Sequence, residues 1–135
     1  MAIWSKLGKY QHFGLLLMRA GLGFMMILHG YPKLMGGPDR WEKTGGAMAN
    51  FGLDFMPSFW GFMAAGAEGI GGLLVILGVF FRPACGLLIV TMIVAAVSHI
   101  GKGDGIMGAS HAIETGLAFL GLFILGPGKY SIDKN

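Results

Sequence analysis

Cysteine and charge are what this chain has least of. Cys85 is the single cysteine among 135 residues, which excludes an intramolecular disulfide and any Cys-x-x-Cys redox pair. Membrane enzymes of four helices that shuttle disulfides need a thiol pair, so that chemistry is closed to this chain by itself. The lone thiol reads as a small hydrophobe at a helix start. Charged residues make up 13% of the sequence where a soluble domain averages about 25%, so roughly half of the usual water-facing surface has been given up. The basic excess of +3 is scattered in short flanks and forms no stripe, which excludes a nucleic-acid face. Small-x-small cleavage signals are missing after the first apolar run, so Lys6 and Lys9 precede a retained helix and not a signal peptide.

What fills the space is apolar. Four runs, about Phe13–Leu34, Ser58–Phe81, Ala84–Ile100 and Ala109–Gly126, occupy most of the chain. A hydrocarbon core of roughly 30 Å needs about 20 helical residues, within a range of roughly 17–25, and all four runs fit. The sequence therefore predicts an all-α integral membrane protein, an up-down-up-down four-helix bundle in one domain over residues 1–135, in contact with lipid on all sides. The 25 glycines suit close-packed membrane helices. Gly36-Gly37-Pro38 ends the first helix, and Arg82-Pro83 is the expected joint between the second and third. Trp41, Met48 and Phe51 are spaced like one face of a short helix lying on the bilayer surface; a solvated loop fits the same stretch.

An even number of spans puts both termini on one face. Lys6, Lys9, Arg82, Lys129 and Lys134 on that face outnumber Lys33, Arg40, Lys43 and Lys102 on the other by five to four, which places the termini in the cytoplasm of a bacterial inner membrane.

Ionisable groups inside the spans are costly, at ~2.5 kcal/mol each or more, and each needs a partner or a purpose. In an alternating bundle His29 and Lys33, His99, and His111 with Glu114 all fall toward the face opposite the termini. Glu68 lies roughly 15 Å along the second helix, with Arg19 below it as a candidate ion-pair partner that keeps it ionised. That pair would lock helices together or leave Glu68 as a proton-handling acid. Several of these groups could also simply reach water from helix ends. Histidines beside carboxylates in a membrane pocket are what proton-coupled chemistry on a lipid-soluble substrate needs. A quinone is such a substrate. His29, Lys33, His99 and His111 would hydrogen-bond its oxygens, Glu68 and Glu114 would relay protons, and Trp41, Phe55 and Trp60 would wall the ring. The alternative is a divalent metal on His29, His99, His111 and Glu114. Its signal is weak because the chain has no His-x-x-x-His pair, and the ten methionines are spread as gap-fillers. The two halves echo each other, His29 with Glu68 and His99 with Glu114, as a parallel repeat would.

Leu-Met-Arg-Ala-Gly-Leu-Gly at 17–23, His-Gly-Tyr-Pro-Lys at 29–33, Glu-Gly-Ile-Gly-Gly-Leu-Leu at 68–74, Leu-Gly-Val-Phe-Phe-Arg-Pro at 77–83 and Gly-Pro-Gly-Lys-Tyr-Ser-Ile-Asp at 126–133 follow in an order that resembles the DoxX family. The resemblance implies a small four-helix bacterial membrane protein and a role in an oxidoreductase system linked to oxidative-stress defence. A related family supplies the membrane subunit of a thiosulfate:quinone oxidoreductase. Arg19, His29, Lys33 and Glu68 stand at motif positions, with His99 and Glu114 less firmly placed. The implied partner is another redox subunit or a soluble redox protein, with a second copy of the chain as a further candidate. A non-catalytic scaffold that recruits such a protein is the competing reading.

Overall fold

Hydrocarbon offers a backbone N–H or C=O no partner, so each apolar run must satisfy its own hydrogen bonds as a helix. The computed structural model describes residues 2–52 and 55–133, and its regular structure there is helical throughout. Lys134, counted above with the terminal face, lies outside the described residues. Helix α1 covers Gln11–Met35 and continues a 3-10 turn from Lys6. Helix α2 is Gly37–Gly45, α3 is Pro57–Leu77, α4 is Phe81–Gly101 and α5 is Ser110–Leu125. The segment Lys6–Met35, α3 and α4 are long and apolar enough to cross a membrane. Helix α5 is shorter than its run, at 16 residues or about 24 Å, because Ala109 stands as its N-cap and Gly126, at φ +88°, ends it.

Packing follows chain order: α1 lies on α3, α3 on α4, and α4 on α5, giving the expected alternating bundle. Glycine sets the first of these contacts. A Cβ on Gly23 would stand 2.5 Å from the Gly72 carbonyl oxygen, and one on Gly30 would stand 2.5 Å from the Gly69 nitrogen. No larger residue lets the two backbones come this close, which is how membrane helices gain dispersion contact where no hydrophobic drive exists. Met26, Val75, Phe81, Cys85, Leu88, Met92, Phe119 and Leu122 from all four long helices form the buried core. Leu17, Phe24, Ile70 and Ile124 are exposed, as a surface meeting lipid must be.

Helix α2 departs from expectation. It runs beside the first turns of α3, where Gly45 abuts Pro57 and Gly61 abuts Trp41, backbone against backbone. It stops at Gly45, and a 3-10 turn carries Met48 and Phe51, so those residues share no helical face with Trp41.

The joint between α3 and α4 is also earlier than expected. Gly78 adopts φ +70°, and a Cβ there would meet Ser131 and come 2.7 Å from Arg19 Nη2, so α3 must end at Leu77. Arg82 and Pro83 then belong to the first turn of α4, where a missing proline N–H costs nothing. Asp133 from the returning tail caps that turn: its carboxylate accepts from the N–H groups of Phe80 at 3.1 Å and Phe81 at 2.8 Å. The tail is held in turn by Ile132 N–H donating to Leu77 O and Asp133 N–H donating to Gly78 O.

Arg19, 1% exposed, joins all these pieces. Its Nε donates to Val75 O at 3.0 Å and its Nη2 to Ile76 O at 2.7 Å. Its Nη1 donates to Pro127 O at 3.1 Å and Tyr130 O at 2.7 Å. The expected Arg19–Glu68 pair therefore does not form. The register set by Gly23 on Gly72 puts Arg19 opposite Ile76, about 12 Å along the helix from Glu68. Lysine is a poor substitute here, since a compact ammonium cannot fork to four separated acceptors. Arg19→Lys should cost roughly 2–4 kcal/mol through lost charge-assisted bonds, read as unfolding in detergent, whereas His12→Ala, which gives up one exposed bond to Lys129 N–H, should cost less than about 1 kcal/mol.

Candidate functional site

The glycine contact that excludes Arg19 from Glu68 supplies Glu68 with another cation. Gly30 rests on the backbone of Ala65 and Gly69, so Lys33, one turn further along α1, comes level with Glu68. Lys33 Nζ donates to Glu68 Oε1 at 2.8 Å. The Glu68 side chain is 4% exposed and that of Lys33 26%, so the acid is interior and the amine reaches it from nearer the surface. The second carboxylate oxygen, Oε2, is buried and has no hydrogen-bond partner among the described residues.

Glu68 forms part of the wall of a partly open cavity of about 120 Å³ to which all four long helices contribute. Met26, His29 and Lys33 come from α1, Met92, Ala95 and His99 from α4, and His111 with Ala112 from α5, with Gly108 from the turn before it. A cavity of roughly 150 Å³ admits a benzene ring, so this one takes several waters or one end of a ring. The His29 and His111 rings meet at 4.9 Å between centroids, tilted by 40°, and bridge α1 to α5 across the seam that chain-order packing leaves open. His99 Nδ1 lies 3.0 Å from Asp104 Oδ2, and both side chains are 45% exposed. The arrangement thus sets a buried acid and its amine at the back, two apolar thioethers beside them, and imidazoles that can carry protons toward the surface.

Five sequence candidates therefore converge: His29, Lys33, Glu68, His99 and His111. The others do not. Glu114 is exposed and lines no part of the cavity, because α5 turns its buried Ala112 face inward and carries Glu114 off that face. This also breaks the suggested repeat, since Glu68 is buried and paired while Glu114 is neither buried nor in the cavity. Trp60 stacks edge-on with Phe55 and Phe59 at the start of α3, and Trp41 stacks on Phe62; none of them walls the cavity. Three turns of α3 separate Pro57 from Glu68, which leaves that aromatic cluster too far along the helix. Among the described residues no three His, Cys, Asp or Glu side chains gather as a metal ion would require, so the set of His29, His99, His111 and Glu114 is not assembled.

Met26 and Met92 were missed as lining. They share helical faces with residues that were noticed: Met26, His29 and Lys33 fall at i, i+3 and i+7, as Met92, Ala95 and His99 do. Reading one face backward from each histidine would have found both.

A family model described as DoxX matches residues 14–100, which is α1 through nearly all of α4. The chain belongs to the DoxX family. The DoxX match takes in Arg19, Lys33, Glu68 and His99 and stops before His111 and the returning tail. The chain is also similar to the inner membrane protein YphA of Escherichia coli strain K12, at 30% identity over 140 residues that cover 93% of this chain and 96% of the relative. No solved structure matches.

Removing Lys33 would strand a buried carboxylate. Lys33→Met should destabilise the protein by about 2–3 kcal/mol, and adding Glu68→Leu should recover most of that loss. The check is a double-mutant cycle on unfolding in detergent, in which the two single effects must fail to add.

Proposed function

We propose that this chain is the membrane subunit of an oxidoreductase system in a bacterial inner membrane, and that its cavity receives a quinone-class headgroup. The observation that carries this reading is Glu68: an interior acid, tied to one cation by one oxygen, facing a cavity whose other polar groups are histidines. Burying such a group is expensive, and an acid–amine–imidazole set at the end of a bundle is suited to giving and taking protons beside a lipid-soluble substrate. Two electrons and two protons turn two quinone carbonyls into two hydroxyls. The cavity supplies a proton relay through Glu68, Lys33, His29 and His111. The electrons come from a partner redox protein, since Cys85 is buried in the core and the chain has no second thiol.

Sidedness follows from the basic residues. Lys33 turns inward to Glu68, which removes it from the loop-face tally and leaves Lys6, Lys9, Arg82, Lys129 and Lys134 against Arg40, Lys43 and Lys102. The termini are then cytoplasmic and the cavity lies toward the other face. The similarity to an inner membrane protein supports the same compartment.

A photoactivatable quinone tests the reading on purified protein. It should label the stretches around Met26–Lys33 and Met92–His99, untagged quinone should compete, and His29→Ala should cut labelling about tenfold, while Glu114→Ala leaves it within about twofold. Labelling spread over the lipid face, or labelling that quinone does not displace, would contradict it.

A further inference from the structure

Resting on the quinone reading, we infer that the cavity is built for the reduced, hydroxyl-bearing form of its substrate. Donor and acceptor chemistry decides this. A carboxylate held by an ammonium accepts at both oxygens and donates at neither, while lysine donates and cannot accept. Glu68 Oε1 is taken by Lys33 Nζ at 2.8 Å. Oε2, on a side chain 4% exposed, is the buried acceptor left open among the described residues. A guest that satisfies this pair must bring a donor to Oε2.

A quinone carbonyl brings none. It could accept from one of the ammonium's remaining N–H groups, but its oxygen would then stand acceptor against acceptor beside Oε2, and the carboxylate would stay unsatisfied. A quinol hydroxyl meets both demands with one oxygen: its O–H donates to Oε2 and its lone pairs accept from Lys33 Nζ. The cavity, at about 120 Å³, encloses one end of such a ring in either redox form and leaves the remainder to the apolar surface of Met26, Met92 and Ala112, so the discrimination rests on the donor at Oε2. Leaving a charged buried acceptor unpaired costs enough to shift affinity about tenfold or more, so the two redox forms bind unequally.

The test is equilibrium binding to the full chain in detergent, without oxygen, of a benzoquinone bearing a ten-carbon tail and of its quinol. The quinol should bind at least about tenfold more tightly. Glu68→Gln, whose amide both donates and accepts, should bring the ratio near one. Wild-type protein alone decides the main point, so a poorly folding variant does not blunt the test; isotope-edited infrared spectra, in which quinol and not quinone shifts the Glu68 carboxylate band, give a second readout. Equal or tighter binding of the quinone overturns this inference and leaves the quinone site standing. Failure of both forms to bind overturns the two together, and a preference that survives in Glu68→Gln removes Glu68 from the role.

Discussion

Four backbone carbonyls converge on the guanidinium of Arg19, two from the last turn of α3 and two from the tail that follows α5. A charge this deep would be prohibitive alone, yet here it meets carbonyls at a helix end and in a turn, where backbone acceptors have capacity to spare; Val75 O, which also accepts from Gly78 N–H at 3.2 Å, still takes the Arg19 Nε–H. The desolvation of the guanidinium and the capping of α3 are thereby one interaction. Asp133 completes it by closing the first turn of α4. Three motif stretches that lie far apart in the sequence, around 17–23, 77–83 and 126–133, are in this way neighbours around a single side chain.

The opposite end of the bundle is organised by another rule. At the Arg19 end each nitrogen of the guanidinium finds an acceptor, whereas at the Glu68 end one buried acceptor has none among the described residues. The glycine register on α1 and α3 links the two ends, because the same backbone contact sets Arg19 against Ile76 and Lys33 against Glu68. A bundle tied firmly at one end can hold an unsatisfied polar group at the other without collapsing around it. Such incomplete satisfaction is where buried polar networks carry function.

Much of this was legible in the sequence. Apolar run length reports span number directly, and alternation of the spans turns position into depth, which is why sequence position alone groups His29, Lys33, His99 and His111, all four of which line one cavity. Helix rotation was not legible. Glu114 sits three residues from His111 and was assigned to the same face, but α5 is rotated so that Ala112 and Phe119 are buried and Glu114 is exposed. Pairing failed for a related reason. Depth alone could not choose between Arg19 and Lys33 for Glu68, since the choice depends on which glycines touch, and 25 glycines offer many registers. The α3–α4 joint was misplaced because Arg-Pro looks like a break, while the left-handed Gly78 and a distant aspartate make the actual one.

The account stands or falls on the Lys33–Glu68 contact as an ion pair inside the membrane. Solid-state NMR on the protein in lipid bilayers, with lysine side-chain nitrogen and glutamate side-chain carbon labelled, measures it without substitution. A short-range coupling between Lys33 Nζ and Glu68 Cδ, with a chemical shift of an ionised carboxylate, is the predicted result. A protonated Glu68, or a Lys33 nitrogen coupled only to lipid phosphate and water, would contradict it.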